Sequence, residues 1–184
     1  MSGKILPRVT LVLGGARSGK SRHAERLIES ALASELYEGA TYLATAEALD
    51  EEMKARVDEH RARRGSDWHT VEEPLDLSGA LAANADPARP ILVDCLTLWL
   101  TNIMMAGRDV DAETQSLVAA LQDVAGPVVL VSNEVGLGIV PDSALARRFR
   151  DHAGRLNQAV ADVADRVLFV AAGLAMTMKD REED

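Results

Sequence analysis

The chain has 184 residues, 47% hydrophobic and 3% aromatic, with a formal net charge of −9. That length suits one globular domain with a core of Ala, Val, Leu and Ile, and the acidic balance argues against a general nucleic-acid binder, which needs basic surface to neutralise backbone phosphates. A lone cysteine, Cys95, excludes an intramolecular disulfide, no apolar run approaches the roughly 18–20 residues that span a bilayer, and the N-terminus lacks a signal-peptide layout, so a soluble cytoplasmic protein without a membrane span is expected.

Taken in order, residues 1–7 read as a terminal tail, and Val9-Thr10-Leu11-Val12-Leu13 is a β-branched apolar run. It leads into Gly14-Gly15-Ala16-Arg17-Ser18-Gly19-Lys20-Ser21, the pattern G-x-x-x-x-G-K-S. A helix over Ser21 to about Ala33 follows, with Ala24, Leu27, Ile28, Ala31 and Leu32 as its apolar stripe. Ala40 to Ala44 reads as a second strand ending at Thr45-Ala46-Glu47, then Asp50 to Arg64 as a charged helix. A short extended piece covers Thr70 to Glu72, a helix Leu75 to Ala83, and a loop Asn84 to Pro90. Ile91-Leu92-Val93 is a strand stopping at Asp94, followed by helices over Leu96 to Met105 and Asp111 to Val124. Pro127 to Val131 is a fourth strand stopping at Ser132-Asn133-Glu134, with a glycine-rich loop from Val135 to Pro141 behind it. A long helix over Ser143 to Asp165, a fifth strand over Val167 to Val170, and a solvated tail over 179–184 complete the chain. Without repeats or linkers, alternating strands and helices predict a single-domain α/β layer fold with a mainly parallel sheet.

Strand, G-x-x-x-x-G-K-S and helix together are the context of a phosphate-binding loop. Its glycines let the backbone wrap phosphate oxygens, and the helix adds its positive N-terminal end. Lys20 then reaches the β/γ-phosphates and the Ser21 hydroxyl ligates Mg²⁺. Asp94, at the end of a buried strand, either helps hold that Mg²⁺ or caps the helix beginning at Leu96. In the charged helix, Arg56, His60 and Arg64 share one stripe, with Arg63 close by. Flanking cations favour a neutral, nucleophilic imidazole, and the arginines suit phosphate, so His60 is a candidate to attack phosphorus. Met53 and Val57 also share that side, and a histidine at a core boundary fits the spacing equally well. His23 reads as a packing or surface residue, His152, near Arg147-Arg148-Phe149-Arg150, as part of a solvated or interface face, His69 has no evident partners, and no His/Cys set has zinc-ligand spacing. Asn133-Glu134, with Gly136 and Gly138 behind, either positions a group over the phosphates or forms a tight strand-to-helix connection.

Several blocks, in order, resemble one family. They are G-G-A-R-S-G-K-S-R-H-A-E, Y-L-A-T-A-E, D-E-E-M-K-A-R-V-x-x-H-R-x-R-R, W-x-T-V-E-E-P, L-V-D-C-L-T-L-W-L-T-N, S-N-E-V-G-L-G-I-V-P and F-R-D-x-A-G-R-L-N-Q, between Val9 and Gly173. The chain is similar to the bifunctional adenosylcobinamide kinase / adenosylcobinamide-phosphate guanylyltransferases of cobalamin biosynthesis. The resemblance implies a RecA-like, P-loop NTPase sheet in a homo-oligomer acting on small molecules, with neither nucleic acid nor membrane as partner. It implies phosphorylation of adenosylcobinamide from ATP or GTP, then transfer of GMP from GTP to adenosylcobinamide phosphate through a guanylyl-histidine. Carried over by position, the nucleotide loop falls on Gly14 to Ser21, including Gly15, Ala16, Arg17, Ser18, Gly19 and Lys20. Further nucleotide contacts fall on Thr45, Ala46 and Glu47, on Arg61, Ala62, Arg63 and Arg64, and on Glu72 and Asp94, and the nucleophile falls on His60. Some members have two adjacent histidines where this chain has Glu59-His60, and some have proline where it has Gly65. Two rival readings are a P-loop kinase of another small metabolite and a RecA-like nucleotide-dependent assembly module.

Overall fold

The computed structural model describes residues 5–46, 65 and 67–181. The charged helix expected over Asp50 to Arg64 lies outside these residues.

Seven strands form one sheet in the order β3-β2-β4-β5-β1-β6-β7. They are β1 (Val9–Gly14), β2 (Ala40–Ala44), β3 (Trp68–Glu72), β4 (Ile91–Asp94), β5 (Val128–Asn133), β6 (Arg166–Ala171) and β7 (Leu174–Asp180). All neighbouring pairs are parallel except β6 and β7, which form an antiparallel hairpin. The five described helices are α1 (Lys20–Leu32), α2 (Leu77–Asn84), α3 (Leu96–Met105), α4 (Val110–Asp123) and α5 (Ala144–Val163). The expected α/β architecture is therefore present.

β1, β2, β4 and β5 are apolar and buried along nearly their whole lengths, as central parallel strands covered on both faces must be. Side chains alternate between two cores. Leu11, Val93 and Leu130 face one core with Leu77, Trp99, Leu117 and Leu156 from α2, α3, α4 and α5. Val12, Leu92, Val129 and Val131 face the other with Ala24, Ile28 and Ala31 from α1. Helix starts are set by short polar side chains: Asp76 accepts from the Gly79 N–H, Asp109 from those of Asp111 and Ala112, and Ser143 from that of Ala146.

Two expected tails are structured in part. Leu6 is buried and its N–H donates to the Tyr37 hydroxyl, so packing against the fold extends before β1. Lys179 and Asp180 belong to β7 rather than to a solvated tail. The Asp180 carboxylate takes the Arg166 guanidinium at 2.8 Å in a nearly buried ion pair. The Lys179 ammonium donates to the carbonyls of Ala161 and Asp162, occupying acceptors at the C-terminal end of α5. The extended piece expected at Thr70 starts two residues earlier, because β3 pairs with β2 from Trp68↔Ala40 onward. No described helix is long and apolar enough to cross a membrane.

Candidate active site

Parallel pairing carries the C-terminal ends of the central strands to one edge. Gly14 lies opposite Asn133 and Val170, and Ala44 opposite both Asp94 and Glu72. An open parallel sheet binds ligands at that edge, and the sequence-predicted residues that the structure describes gather there.

The phosphate loop is built on two backbone requirements. A Cβ at Gly14 would stand 2.6 Å from Ser18 Oγ and collide with the Val170 carbonyl, so only glycine lets the loop fold back on β6. Gly19 caps α1 with φ 95 and supplies no side-chain acceptor. The first N–H groups of α1 therefore have no side-chain cap, and the positive end of its dipole opens onto the loop, as suits a bound phosphate. The loop is held from outside: Glu134 N–H donates to the Gly14 carbonyl at 3.1 Å and Gly173 N–H to the Ser18 carbonyl at 2.8 Å. Ala16 and Arg17 are exposed on the loop and Gly15 is half-buried, while Lys20 is almost wholly buried with its ammonium 3.3 Å from the Gly15 carbonyl.

Asp94 sits across from the loop on the same sheet face. Ser21 Oγ lies 3.5 Å from its Oδ1, and the Tyr42 hydroxyl donates to its Oδ2 at 3.0 Å. Of the two sequence readings for Asp94, the helix cap is not realised, since Cys95 holds that position on α3 and has no side-chain cap bond. A hydroxyl and a carboxylate oxygen 3.5 Å apart are hard donors near the spacing of adjacent ligands around Mg²⁺, about 3 Å for bonds of about 2.1 Å. Among the described residues no group of three or more His, Cys, Asp or Glu could hold an ion, so a dication here would complete its shell with phosphate oxygens and water.

The Thr45 hydroxyl, at the same edge, is engaged within the protein. Thr45 is fully buried, and its hydroxyl donates to the Cys95 carbonyl at 2.8 Å while accepting the Cys95 N–H at 2.9 Å. Its N–H donates to the Asp94 carbonyl, and its own carbonyl accepts from Asn102 Nδ2. Thr45 thus ties β2 to the turn that carries Asp94. Ala46 is half-buried and Glu72 exposed, both at this edge. Glu47, His60, Arg61, Ala62, Arg63 and Arg64 lie outside the described residues. The Cys95 thiol is pushed up to about 11, first by burial and then by the Asp94 charge, which keeps it protonated and unreactive at neutral pH. His23 on α1 is pushed below its usual value by burial and by Arg26, and His152 touches Arg155 and lies 4.0 Å from Asp111.

Sequence reasoning missed four supports. Tyr42, read only as a strand residue, orients Asp94. Asn102 bridges Thr45 to the Pro74 carbonyl. Thr97 Oγ1 accepts the Asn133 N–H, and Asn157 holds both the Ser132 hydroxyl and the Asn133 carbonyl. Asn157 carries a signal in hindsight, as a polar residue on the buried stripe of α5 beside Ala153, Leu156 and Val160. The other three act across strands far apart in sequence.

Comparison with solved structures places the fold. The flagellar accessory protein FlaH from Methanocaldococcus jannaschii superposes with a TM-score of 0.55 at 14% identity, covering 97% of this chain and 81% of that one. A second solved structure, of an ATPase domain, gives 0.51 at 10% identity, over 90% of this chain and 70% of that one. Identity this low speaks to fold alone. Relatives in sequence are far nearer. The bifunctional adenosylcobalamin biosynthesis protein CobP of Pseudomonas aeruginosa is 51% identical over 172 residues, 92% of this chain and 96% of its own. The CobU proteins of Escherichia coli and Salmonella typhimurium, described in the same words, are 44% and 43% identical, each over 92% of this chain and 98% of theirs. The profile described as cobinamide kinase / cobinamide phosphate guanyltransferase matches residues 10–178, from within β1 to within β7. A match that takes in the phosphate loop, every central strand and the closing hairpin leaves no other assignment: this chain belongs to the cobinamide kinase / cobinamide phosphate guanyltransferase family.

Proposed function

We propose that this chain phosphorylates the hydroxyl of adenosylcobinamide from ATP or GTP. It then transfers GMP from GTP to adenosylcobinamide phosphate, giving adenosylcobinamide-GDP and pyrophosphate. The observation that carries the proposal is the joining of a phosphate loop to Asp94 through Ser21, in a chain whose family is bifunctional. In the first reaction Lys20 and the loop amides stabilise charge on the transferring phosphoryl group. Ser21 and Asp94 would hold Mg²⁺, which when bound neutralises charge on the triphosphate. Tyr42 and Thr45 keep Asp94 aimed at Ser21.

In the second reaction His60 is the nucleophile. Its neutral imidazole attacks the α-phosphorus, the bond to the bridging oxygen breaks, and the electron pair leaves with pyrophosphate. The phosphate of adenosylcobinamide phosphate then displaces His60, which returns to neutral imidazole. The support is the arginine setting of His60 in the sequence and its place in the family pattern. Arg61, Arg63, Arg64, Glu47 and Glu72 would serve as nucleotide contacts around it, with Ala46 and Ala62 beside them. A cytoplasmic homo-oligomer acting as a single-domain enzyme completes the reading, with the exposed Leu174, Met176 and Met178 of β7 as apolar surface for a second copy.

The test uses GTP labelled at the α-phosphate. With Mg²⁺ present, the protein should take up an acid-labile, base-stable label that is lost in His60→Ala. Equal labelling of that variant would overturn the role of His60. Phosphorylation of a different hydroxyl compound, with no covalent nucleotide, would favour a kinase of another small metabolite.

A further inference from the structure

The phosphate edge holds a polar atom that the mechanism above does not use. Asn133 Oδ1 is buried and has no hydrogen-bond partner among the described residues. Such atoms are rare in native proteins and costly to leave unmatched. Its place is fixed by the strands. Val129 and Val131 face the core beneath α1, so Asn133, two residues on, points to that same face. Asp94 follows Leu92 there by the same rule, and β5 lies between β4 and β1. Asn133 therefore stands between the carboxylate at the end of β4 and the phosphate loop at the end of β1, directly opposite Gly14.

Its backbone is held on every side. The N–H donates to Thr97 Oγ1 at 2.8 Å, the carbonyl accepts from Asn157 Nδ2 at 3.2 Å, and the next N–H, that of Glu134, bonds the Gly14 carbonyl at 3.1 Å. These bonds fix the backbone from which the side chain rises, and Oδ1, itself shielded from water, needs a donor. The phosphate oxygens of a nucleotide offer none, because they are ionised acceptors. The one reactant of the proposed reactions that brings a donor to the γ-phosphate is the attacking hydroxyl. Neither nucleophile of the guanylyl transfer is a hydroxyl.

Resting on the proposed kinase reaction, we infer that Asn133 Oδ1 accepts the hydrogen bond of the substrate alcohol and aims its oxygen at the γ-phosphorus. The oxygen forms the new P–O bond as the bond to the β–γ bridging oxygen breaks, and that electron pair leaves with the nucleoside diphosphate. An amide oxygen is too weak a base to keep the proton, which passes to a non-bridging oxygen of the transferred phosphoryl group. Asn133 is thus a positioning residue for phosphoryl transfer and has no part in guanylyl transfer.

Asn133→Leu removes the acceptor at nearly constant volume and leaves the three backbone bonds in place. It is compared with wild type in two reactions: phosphorylation of adenosylcobinamide by ATP, and covalent labelling by α-labelled GTP with transfer to adenosylcobinamide phosphate. The variant should lose about 30- to 100-fold in kcat for phosphorylation, the scale of a misplaced reactant. KM for ATP and both parts of guanylyl transfer should stay within about threefold. Asn133→Ala, which adds no bulk, replaces it if the thermal midpoint shows that leucine disturbs the fold. Equal losses in the two reactions, as from a damaged loop or a lost metal-bound water, would overturn the inference, and so would no loss in either. A wild-type enzyme that labels with GTP but cannot phosphorylate adenosylcobinamide would overturn both the inference and the kinase half of the reading beneath it.

Discussion

The two faces of the sheet are built differently. On one, four helices pack Leu, Val, Ile and Trp99 into a core whose members are almost all fully buried and apolar. On the other, the one described helix is α1, and the core beneath it mixes Val12, Ile28, Leu92, Val129 and Val131 with smaller or polar-tipped residues: Ala24, Ala31, Ala40, Ala44, Tyr42 and Cys95. Lys20, Ser21, Asp94 and the Tyr42 hydroxyl all lie on this face, the thinner of the two among the described residues. The heavy face supplies burial and fixes the strand ends. The thin face carries the loop and the charged side chains of the candidate site. Substitutions on the two faces should therefore separate stability from chemistry.

The largest effect expected on the heavy face is from Trp99→Ala. Trp99 is fully buried and its indole N–H donates to the Leu75 carbonyl at 3.0 Å. Loss of its packing should cost about 4 kcal/mol, read as a lower midpoint in urea unfolding, while the Leu75 carbonyl keeps the Arg108 guanidinium at 3.1 Å. At temperatures where the variant remains folded, KM for the nucleotide should change little. On the thin face, Lys20→Ala should do the converse. Removing a charge aimed at the phosphates should lower both transfers by on the order of 10²–10³-fold, about 3–4 kcal/mol of transition-state stabilisation. The urea midpoint should move by no more than about 1 kcal/mol, since the ammonium makes only a 3.3 Å contact to the Gly15 carbonyl. A loss confined to one transfer would mean that the two reactions do not share this loop.

The same contrast explains how far the sequence could be read. β1, β4 and β5 are continuous apolar runs bounded by polar residues, so burial on both faces wrote them plainly into the chain. The loop from Gly14 to Ser21 was legible because its glycines, lysine and serine are adjacent in sequence. β7 was not, because most of its residues are exposed and its final residues read as a charged tail. Its place is set by pairing with β6 and by Arg166 reaching Asp180, which no local pattern encodes. The supports of the site were hidden for the same reason. Tyr42 meets Asp94 only because β2 and β4 are neighbours in space, 52 residues apart in sequence. The signal for Asp94 was its strand end, while removing the helix-cap reading needed the position of Cys95, and seeing Ser21 beside it needed the fold.

Thr45 gives the smallest of these effects and the finest test of the contrast, because it stands at the nucleotide edge yet behaves as part of the scaffold. The resemblance to the family places a nucleotide contact there, while its hydroxyl is fully engaged with both polar groups of the Cys95 backbone. Thr45→Val keeps the shape and removes the hydroxyl, leaving a buried N–H without its acceptor. The cost should be about 2 kcal/mol of stability. If the side chain serves only to tie β2 to the turn after Asp94, KM for GTP should stay within about threefold while the urea midpoint falls. A rise in KM of tenfold or more with an unchanged midpoint would instead mean that Thr45 gives up Cys95 to reach the nucleotide. The thin face would then rearrange on binding, and the contrast between a fixed scaffold and a chemical edge would fail at the residue where the two meet.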